Sequence, residues 1–298
     1  MSQTRAGRKT CSATFVRVHY ARREMTTGEE PQTWHHGIVA RWWAEFNLTG
    51  PEIPYFQKFI EDDGQPALDV ACGTGRLLVP YLRAGLDVDG CDLSADMLAL
   101  CRERAEAEGL SPNLYAQAMH ELELPRMYRT IVVCGGFGLG GNHEQNLESL
   151  SRLYEQLEPG GLLLLDNEVP YAVTGLWPHW PKEGRQALPK PWLELGDGDR
   201  RQGSDGNEYE LRSRVIELDP LAQLATLEMR ADMWRDGEHV AAEEHVLKLS
   251  LYFTNELVSM LERVGFTAVT LRGDYTDEEP DADTDFVVFI ARKPAAPK

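Results

Sequence analysis

Leu68-Asp69-Val70-Ala71-Cys72-Gly73-Thr74-Gly75 is the stretch on which the reading of this chain turns. Ala67–Ala71 reads as a buried strand, and Arg76–Gly85 reads as a helix that glycine ends. A glycine-punctuated loop between strand and helix is the setting a cofactor-binding turn requires. Gly73 and Gly75 let the backbone pass close to a ligand, because no Cβ stands in the way. The third glycine of a dinucleotide fingerprint is missing, which makes a nicotinamide cofactor the weaker reading.

Outward from this loop, strands and helices alternate. Asp87–Asp92 reads as strand, and Ser94 caps a helix running to about Gly109 with Asp96 in its first turn. Asn113–Ala118, Thr130–Gly135 and Leu162–Asn167 read as strands. His143–Leu157 reads as a helix stopped by Pro159-Gly160-Gly161. This order predicts an α/β, doubly wound, mostly parallel sheet covered on both faces. Upstream, Ile38, Trp42 and Phe46, then Ile53, Phe56, Phe59 and Ile60, predict two N-terminal helices, with Thr33 as the first cap and Gly50-Pro51 between them. Beyond Pro170 the alternation stops. Residues 171–207, rich in Trp and Pro, read as loop or partial disorder. Residues 208–252 alternate in period two, with turn signals at Asp219-Pro220 and Asp236-Gly237, and predict a small antiparallel β insert. Thr254–Gly265 reads as an amphipathic helix, and Ala268–Tyr275 and Phe286–Arg292 as the last two strands.

The 298 residues carry 30 Lys and Arg against 48 Asp and Glu, a net charge of −18. A nucleic-acid binder carries a basic stripe and this chain has none, so neither nucleic acid nor an anionic membrane is an expected partner. No apolar run reaches the roughly 20 residues of a membrane helix. The five cysteines form an odd set without a C-x-x-C pair, which argues against a disulfide framework and against a metal site, and predicts a cytoplasmic setting. Residues 1–24 hold six basic residues and one acid; the rest of the chain stands at −23. A flexible basic tail upstream of Met25, a transit peptide and an ordered arm all remain open as readings of this segment.

Leu68–Arg76, Asp92-Leu-Ser-Ala-Asp-Met97 and Leu157-Glu-Pro-Gly-Gly161 together resemble the ordered motifs of class I S-adenosylmethionine-dependent methyltransferases, over roughly Gln57–Leu165. The resemblance implies a seven-stranded sheet whose antiparallel last strand is Phe286–Arg292, and S-adenosyl-L-methionine as cofactor. It further implies that the backbone of Ala71, Gly73, Thr74 and Gly75 holds the methionine part, with Asp69 orienting the loop. Ala71 stands where many members carry the first glycine. Asp92 would accept the ribose hydroxyls, Leu93 and Met97 would pack on the adenine, Met119 would border it and Cys134 would line the methyl-transfer face. After the third strand many members place an acid; Ala118-Met119 stands there instead, which leaves the reading of the adenine amino group to the Met119 backbone, His120 or Glu121.

The implied reaction is methyl transfer to N or O of a small-molecule acceptor by in-line displacement, in which positioning supplies much of the rate. His143, Asp166, Glu168 and Tyr171 are base or acceptor-orienting candidates, with His143 first because its ordinary pKa lies near neutrality. His143 equally fits an ordinary first-turn helix residue. Trp42 with its aromatic neighbours, and Tyr55 reaching the methionine carboxylate, are expected on the substrate side, and Trp177, Trp180 and Trp192 as a substrate lid. The expected domains are 1–30 as tail, 31–170 with 253–298 as methyltransferase domain, and 171–252 as substrate cap, in a monomer or homodimer. Two other readings stay open: a cofactor-binding scaffold without turnover, and an NAD(P)-linked oxidoreductase.

Overall fold

The computed structural model describes residues 30–296, so the readings on residues 1–24 lie outside the described residues. Two helices come first, α1 (Gly37–Phe46) and α2 (Glu52–Asp63). The alternation then runs β1 (Ala67–Val70), α3 (Leu78–Arg83), β2 (Val88–Asp92), α4 (Ala95–Ala107), β3 (Leu114–Ala116), β4 (Tyr128–Val133), α5 (His143–Gln156) and β5 (Leu157–Glu168). A short helix α6 (Lys182–Gln186) leads to the second sheet of β6 (Asp199–Gln202), β7 (Asn207–Asp219), β8 (Leu224–Arg235) and β9 (Glu238–Ser250). The chain returns through α7 (Thr254–Val264) to β10 (Thr267–Gly273) and β11 (Phe286–Arg292).

The main sheet has seven strands in the order β10-β11-β5-β4-β1-β2-β3. Its pairings are parallel except at β11, which runs antiparallel to both neighbours. One face buries Leu68, Val70, Ile131 and Leu165 against Leu150 and Leu153 of α5 and Leu257 and Leu261 of α7. The other face buries Ala67, Val132 and Leu164 against Phe56 and Ile60 of α2 and Leu78 and Tyr81 of α3. Each fully buried Leu or Ile contributes about 1.5–3 kcal/mol relative to exposure. Side chains alternate along a strand, so Asp69, with the parity of Ala67, faces the α2–α3 side near the carboxyl end of the sheet.

Three local expectations are corrected. Thr33 does not cap α1: the helix starts at Gly37, and Thr33 instead hydrogen-bonds His35 Nδ1 at 2.6 Å. Pro159-Gly160-Gly161 is not a turn outside the fifth strand. β5 already starts at Leu157, and the pairing jumps from Tyr128↔Leu157 to Thr130↔Leu162, so the three residues bulge out within the strand. Residues 171–207 are not simply loop, since a 3-10 helix (Thr174–His179), α6 and β6 lie there.

The second sheet, antiparallel in the order β6-β7-β8-β9, has one apolar face. Tyr209, Met229 and Ala231 meet Ile38 and Val39 of α1, so α1 belongs as much to this sheet as to the α/β core. Its last strand is tied to the core by backbone bonds: Ser250 N donates to Gly138 O, Gly140 N to Lys248 O, and Lys248 N to Gln32 O.

Candidate active site

Where β1 leaves the sheet, Ala71 (φ +58), Gly73 (φ +55) and Gly75 (φ +79) all take left-handed backbone. For Ala71 this is an unfavourable conformation that the surroundings impose. The loop is held from the next strand, where Asp92 at the tip of β2 accepts Gly73 N (2.9 Å) and Ser94 N (2.8 Å). Ser94 in turn caps α4, accepting Met97 N, and its hydroxyl donates to His35 O (2.5 Å). The start of α4 thereby fixes the N-terminal segment over the loop, and Gly37 N donating to Asp96 (2.8 Å) adds a second tie.

Beneath that segment lies a cavity of about 660 Å³. Asp69, Ala71, Gly73, Thr74 and Asp92 form its floor. Leu93, Met97, Ala118, Met119 and His120 close one end; His35 and Trp43 form part of the roof. Burial holds His35 at about 4, so its ring is neutral at physiological pH. Asp69 is 3% exposed and its Oδ2 has no hydrogen-bond partner. Burial, then the nearby Asp92 charge, push its carboxyl up to about 8. Burial also raises Asp92, against the backbone amides that favour its charged form.

The other end is built by β4 and β5. Cys134 and Asp166 stand side by side just beyond the paired segment of these strands. Asp166 accepts Gly135 N (2.6 Å), the Tyr275 hydroxyl (2.7 Å) and the Cys134 thiol (3.2 Å). Desolvation raises both the Asp166 carboxyl and the Cys134 thiol above their ordinary values. Arg76, just after the glycine loop, pairs with Glu52 at the start of α2. On the α5 side Asn146 and Ser149 reach the wall; Asn146 Nδ2 donates to Ser250 Oγ and Tyr252 OH, each at 2.9 Å.

Six residues expected at the site do not line this cavity. Gly75 lies in the loop, but its missing Cβ spares Cys101 Sγ at 2.7 Å and Val79 at 2.9 Å, so its role is to let α3 and α4 pack. Trp42 points into the α1–insert core against Phe46, under Arg201, while its neighbour Trp43 faces the cavity. Tyr55 is buried among Phe56, Phe59 and Tyr275 with its hydroxyl unpartnered. His143 is the first residue of α5 and lies beside the Tyr252 ring (centroids 5.9 Å apart). Glu168 is exposed at the end of β5, and Tyr171 is 39% exposed. The three insert tryptophans also stay outside: Trp177 bonds Tyr171 O, Trp180 meets Phe253, and Trp192 lies against Arg214 and Arg230. Arg76 carried a readable signal in its place after the glycines. Tyr275, some hundred residues from Asp166 in sequence, carried none. Among the described residues no three His, Cys, Asp or Glu side chains converge as a metal set, and no helix is long and apolar enough to cross a membrane.

The strand order, the left-handed loop after β1 and the acid at the tip of β2 define a Rossmann-like methyltransferase fold. Residues 67–161 match the family described as methyltransferase domain. A protein of Geobacillus sp. (strain WCH70), provisionally named a methyltransferase, is 27% identical over 255 residues, covering 81% of this chain and 94% of its own. The glycine/sarcosine N-methyltransferase of Halorhodospira halochloris is 26% identical over 241 residues, 76% of this chain and 74% of its own. Among solved structures, a S-adenosylmethionine-dependent methyltransferase from Clostridium acetobutylicum shares the fold with a TM-score of 0.64, at 16% identity, over 86% of this chain and 98% of that one. Residues 67–161 thus match a methyltransferase domain, and the fold is the one seen in S-adenosylmethionine-dependent methyltransferases.

Proposed function

We propose that this protein transfers the methyl group of S-adenosyl-L-methionine to N or O of a small-molecule acceptor inside the cavity. The observation that carries the reading is the glycine loop locked to the β2 tip by Asp92, opening on a cavity whose floor holds an unpartnered carboxylate oxygen of Asp69. Bound there, the cofactor supplies a methyl already activated on a sulfonium. The residues suit it: a buried carboxylate without a cation nearby favours a positively charged ligand. Asp92 keeps acceptor capacity beyond its two backbone bonds for the ribose hydroxyls. Ala71, Gly73 and Thr74 would hold the methionine part, Leu93, Met97 and Met119 the adenine, and Cys134 would border the methyl. At the Gly135 position (φ +64) an added Cβ would meet nothing within 4 Å, so that stretch of wall leaves room for a ligand.

The small-molecule class is supported by the size of the cavity, about 660 Å³ with His35 and Trp43 on its wall, and by the named substrates of the Halorhodospira relative. The net charge of −18 counts against nucleic acid. Free thiols at Cys72, Cys91, Cys101 and Cys134 support a cytoplasmic setting. Calorimetric titration with S-adenosylmethionine and S-adenosylhomocysteine tests the reading. Micromolar binding is expected, weakened about tenfold or more in Asp92→Ala as a charge-assisted contact is lost. Undiminished affinity in that variant would remove Asp92 from the ribose contact, and no binding by the folded wild type would sink the assignment.

A further inference from the structure

Resting on the methyl-transfer reading, we propose that the acceptor is an amine and that Asp166, at the β4–β5 end of the cavity, holds its ammonium form. Five carboxylates stand on the cavity wall: Glu52, Asp69, Asp92, Asp166 and Asp274. Three make a weaker claim on a ligand cation, Glu52 because it is paired and Asp92 and Asp274 because they are less deeply buried. Glu52 pairs with Arg76, Asp92 accepts two backbone amides, and Asp274 accepts the backbone amides of Asp285 (3.2 Å) and Phe286 (2.9 Å) at the start of β11. Neither Asp69 nor Asp166 forms an ion pair among the described residues: the charge of Arg76 acts on Asp166, but that guanidinium is paired with Glu52. Both are 3% exposed, and a buried carboxylate outside an ion pair is costly.

One ligand nitrogen does not serve both. Asp69 pairs with Val132 and Val132 with Leu164, so Asp166 lies two strands across and two residues further along, on the same face. Strand geometry puts their Cα atoms about 12 Å apart. Side chains on one face stand roughly parallel, so the two carboxylates keep about that spacing, whereas an ammonium bridges oxygens only up to about 6 Å apart, twice a hydrogen-bond length. The two acids therefore define two cationic positions in one cavity, and the one at Asp69 lies over the glycine loop.

Asp166 is presented as an acceptor with room for one more donor. An ionised carboxylate offers about four lone-pair sites, and Gly135 N, Tyr275 OH and Cys134 Sγ occupy three. An ammonium supplies both the donor and the missing charge; an alcohol supplies only the donor. The same oxygen can then take a proton from the nitrogen. The N–H bond breaks, an O–H bond forms on the carboxyl, and the nitrogen keeps the electron pair it needs as a nucleophile. Burial, which favours the protonated acid, assists that transfer.

The test is calorimetry on the full chain saturated with S-adenosylhomocysteine, using benzylamine against benzyl alcohol and propylamine against propanol. The amines are expected to bind at millimolar concentration or below and the alcohols not to. Asp166→Asn should weaken the amines about tenfold or more, as loss of a buried charged contact does. Its affinity for S-adenosylhomocysteine should stay unchanged, and Asp166→Glu should recover part of the amine binding. Tyr275→Phe, which keeps the carboxylate, should fall between Asp166→Asn and wild type. If Asp166→Asn instead weakens S-adenosylhomocysteine, the carboxylate belongs to the cofactor and the proposal is overturned. Equal binding of alcohols, or no amine binding, also overturns it. Failure of wild type to bind S-adenosylhomocysteine defeats the methyl-transfer reading itself, and this proposal with it.

Discussion

Ala71 and Gly136 meet across the mouth of the glycine loop. Ala71 holds a left-handed backbone, and a Cβ added at Gly136 would sit 2.4 Å from the Ala71 methyl. Gly136→Ala is therefore expected to cost about 1–3 kcal/mol through overpacking. In an Ala71→Gly background the same change should cost clearly less, because the opposing methyl is gone. Urea unfolding of the two single variants and the double variant measures that coupling. Asp69 carries a second residue-scale prediction. Its folded pKa of about 8 lies far above the unfolded value of about 3.9, so the native state binds the extra proton between those two values. Its contribution to stability is full below about pH 4 and is lost as pH rises to about 8. Asp69→Asn, which never ionises, should gain in melting temperature over wild type by more at about pH 8.5 than at about pH 5.5. Equal gains at both would show that the carboxyl titrates normally. The glycine loop and Asp92 were legible because their chemistry is local; the state of Asp69 was not, since burial and the distance to Asp92 are properties of the folded chain.

Among the elements, α1 shows how far a local reading reaches. Its apolar spacing at Ile38, Trp42 and Phe46 was readable, but its cap was not. His36 makes no side-chain capping bond, and Ile38 N donates to Glu243 Oε2 on β9 at 2.8 Å, across some two hundred residues. Glu243 also bonds His245 Nε2 at 3.2 Å. Glu243→Ala should cost about 1 kcal/mol, the usual worth of an N-cap. Glu243→Gln should cost only about half that, since it keeps the acceptor and loses the charge at the helix start. Equal loss in both, by chemical denaturation, would assign the effect to the charge alone. The α1 tryptophans repeat the lesson: spacing marks Trp42 and Trp43 as adjacent aromatics, and only the packing partner decides which one faces the cavity.

For the whole molecule, the cap and the core are joined at the site. The β9 end, residues 138–140 and Gln32 share backbone bonds, while α1 packs on the insert and its start is tied to α4. The described residues are therefore expected to unfold in one thermal transition followed equally by near- and far-UV circular dichroism. At a hundred times its Kd, S-adenosylhomocysteine should add about 2.7 kcal/mol, shifting that transition as a unit. Two transitions, with the ligand moving only one, would mean that the insert folds separately. The order of elements, the doubly wound sheet and the position of the cofactor loop were determined by the sequence itself, because period, glycines and caps act over a few residues; the antiparallel last strand came only from the family resemblance. The tertiary structure alone decided which side chains share the cavity. It brought Asp166, Cys134, Tyr275 and Arg76 together from four separate stretches of the chain and turned His143, Trp42, Tyr55, Glu168 and Tyr171 away, because strand order and packing, which set distances between remote residues, leave no local mark in the chain.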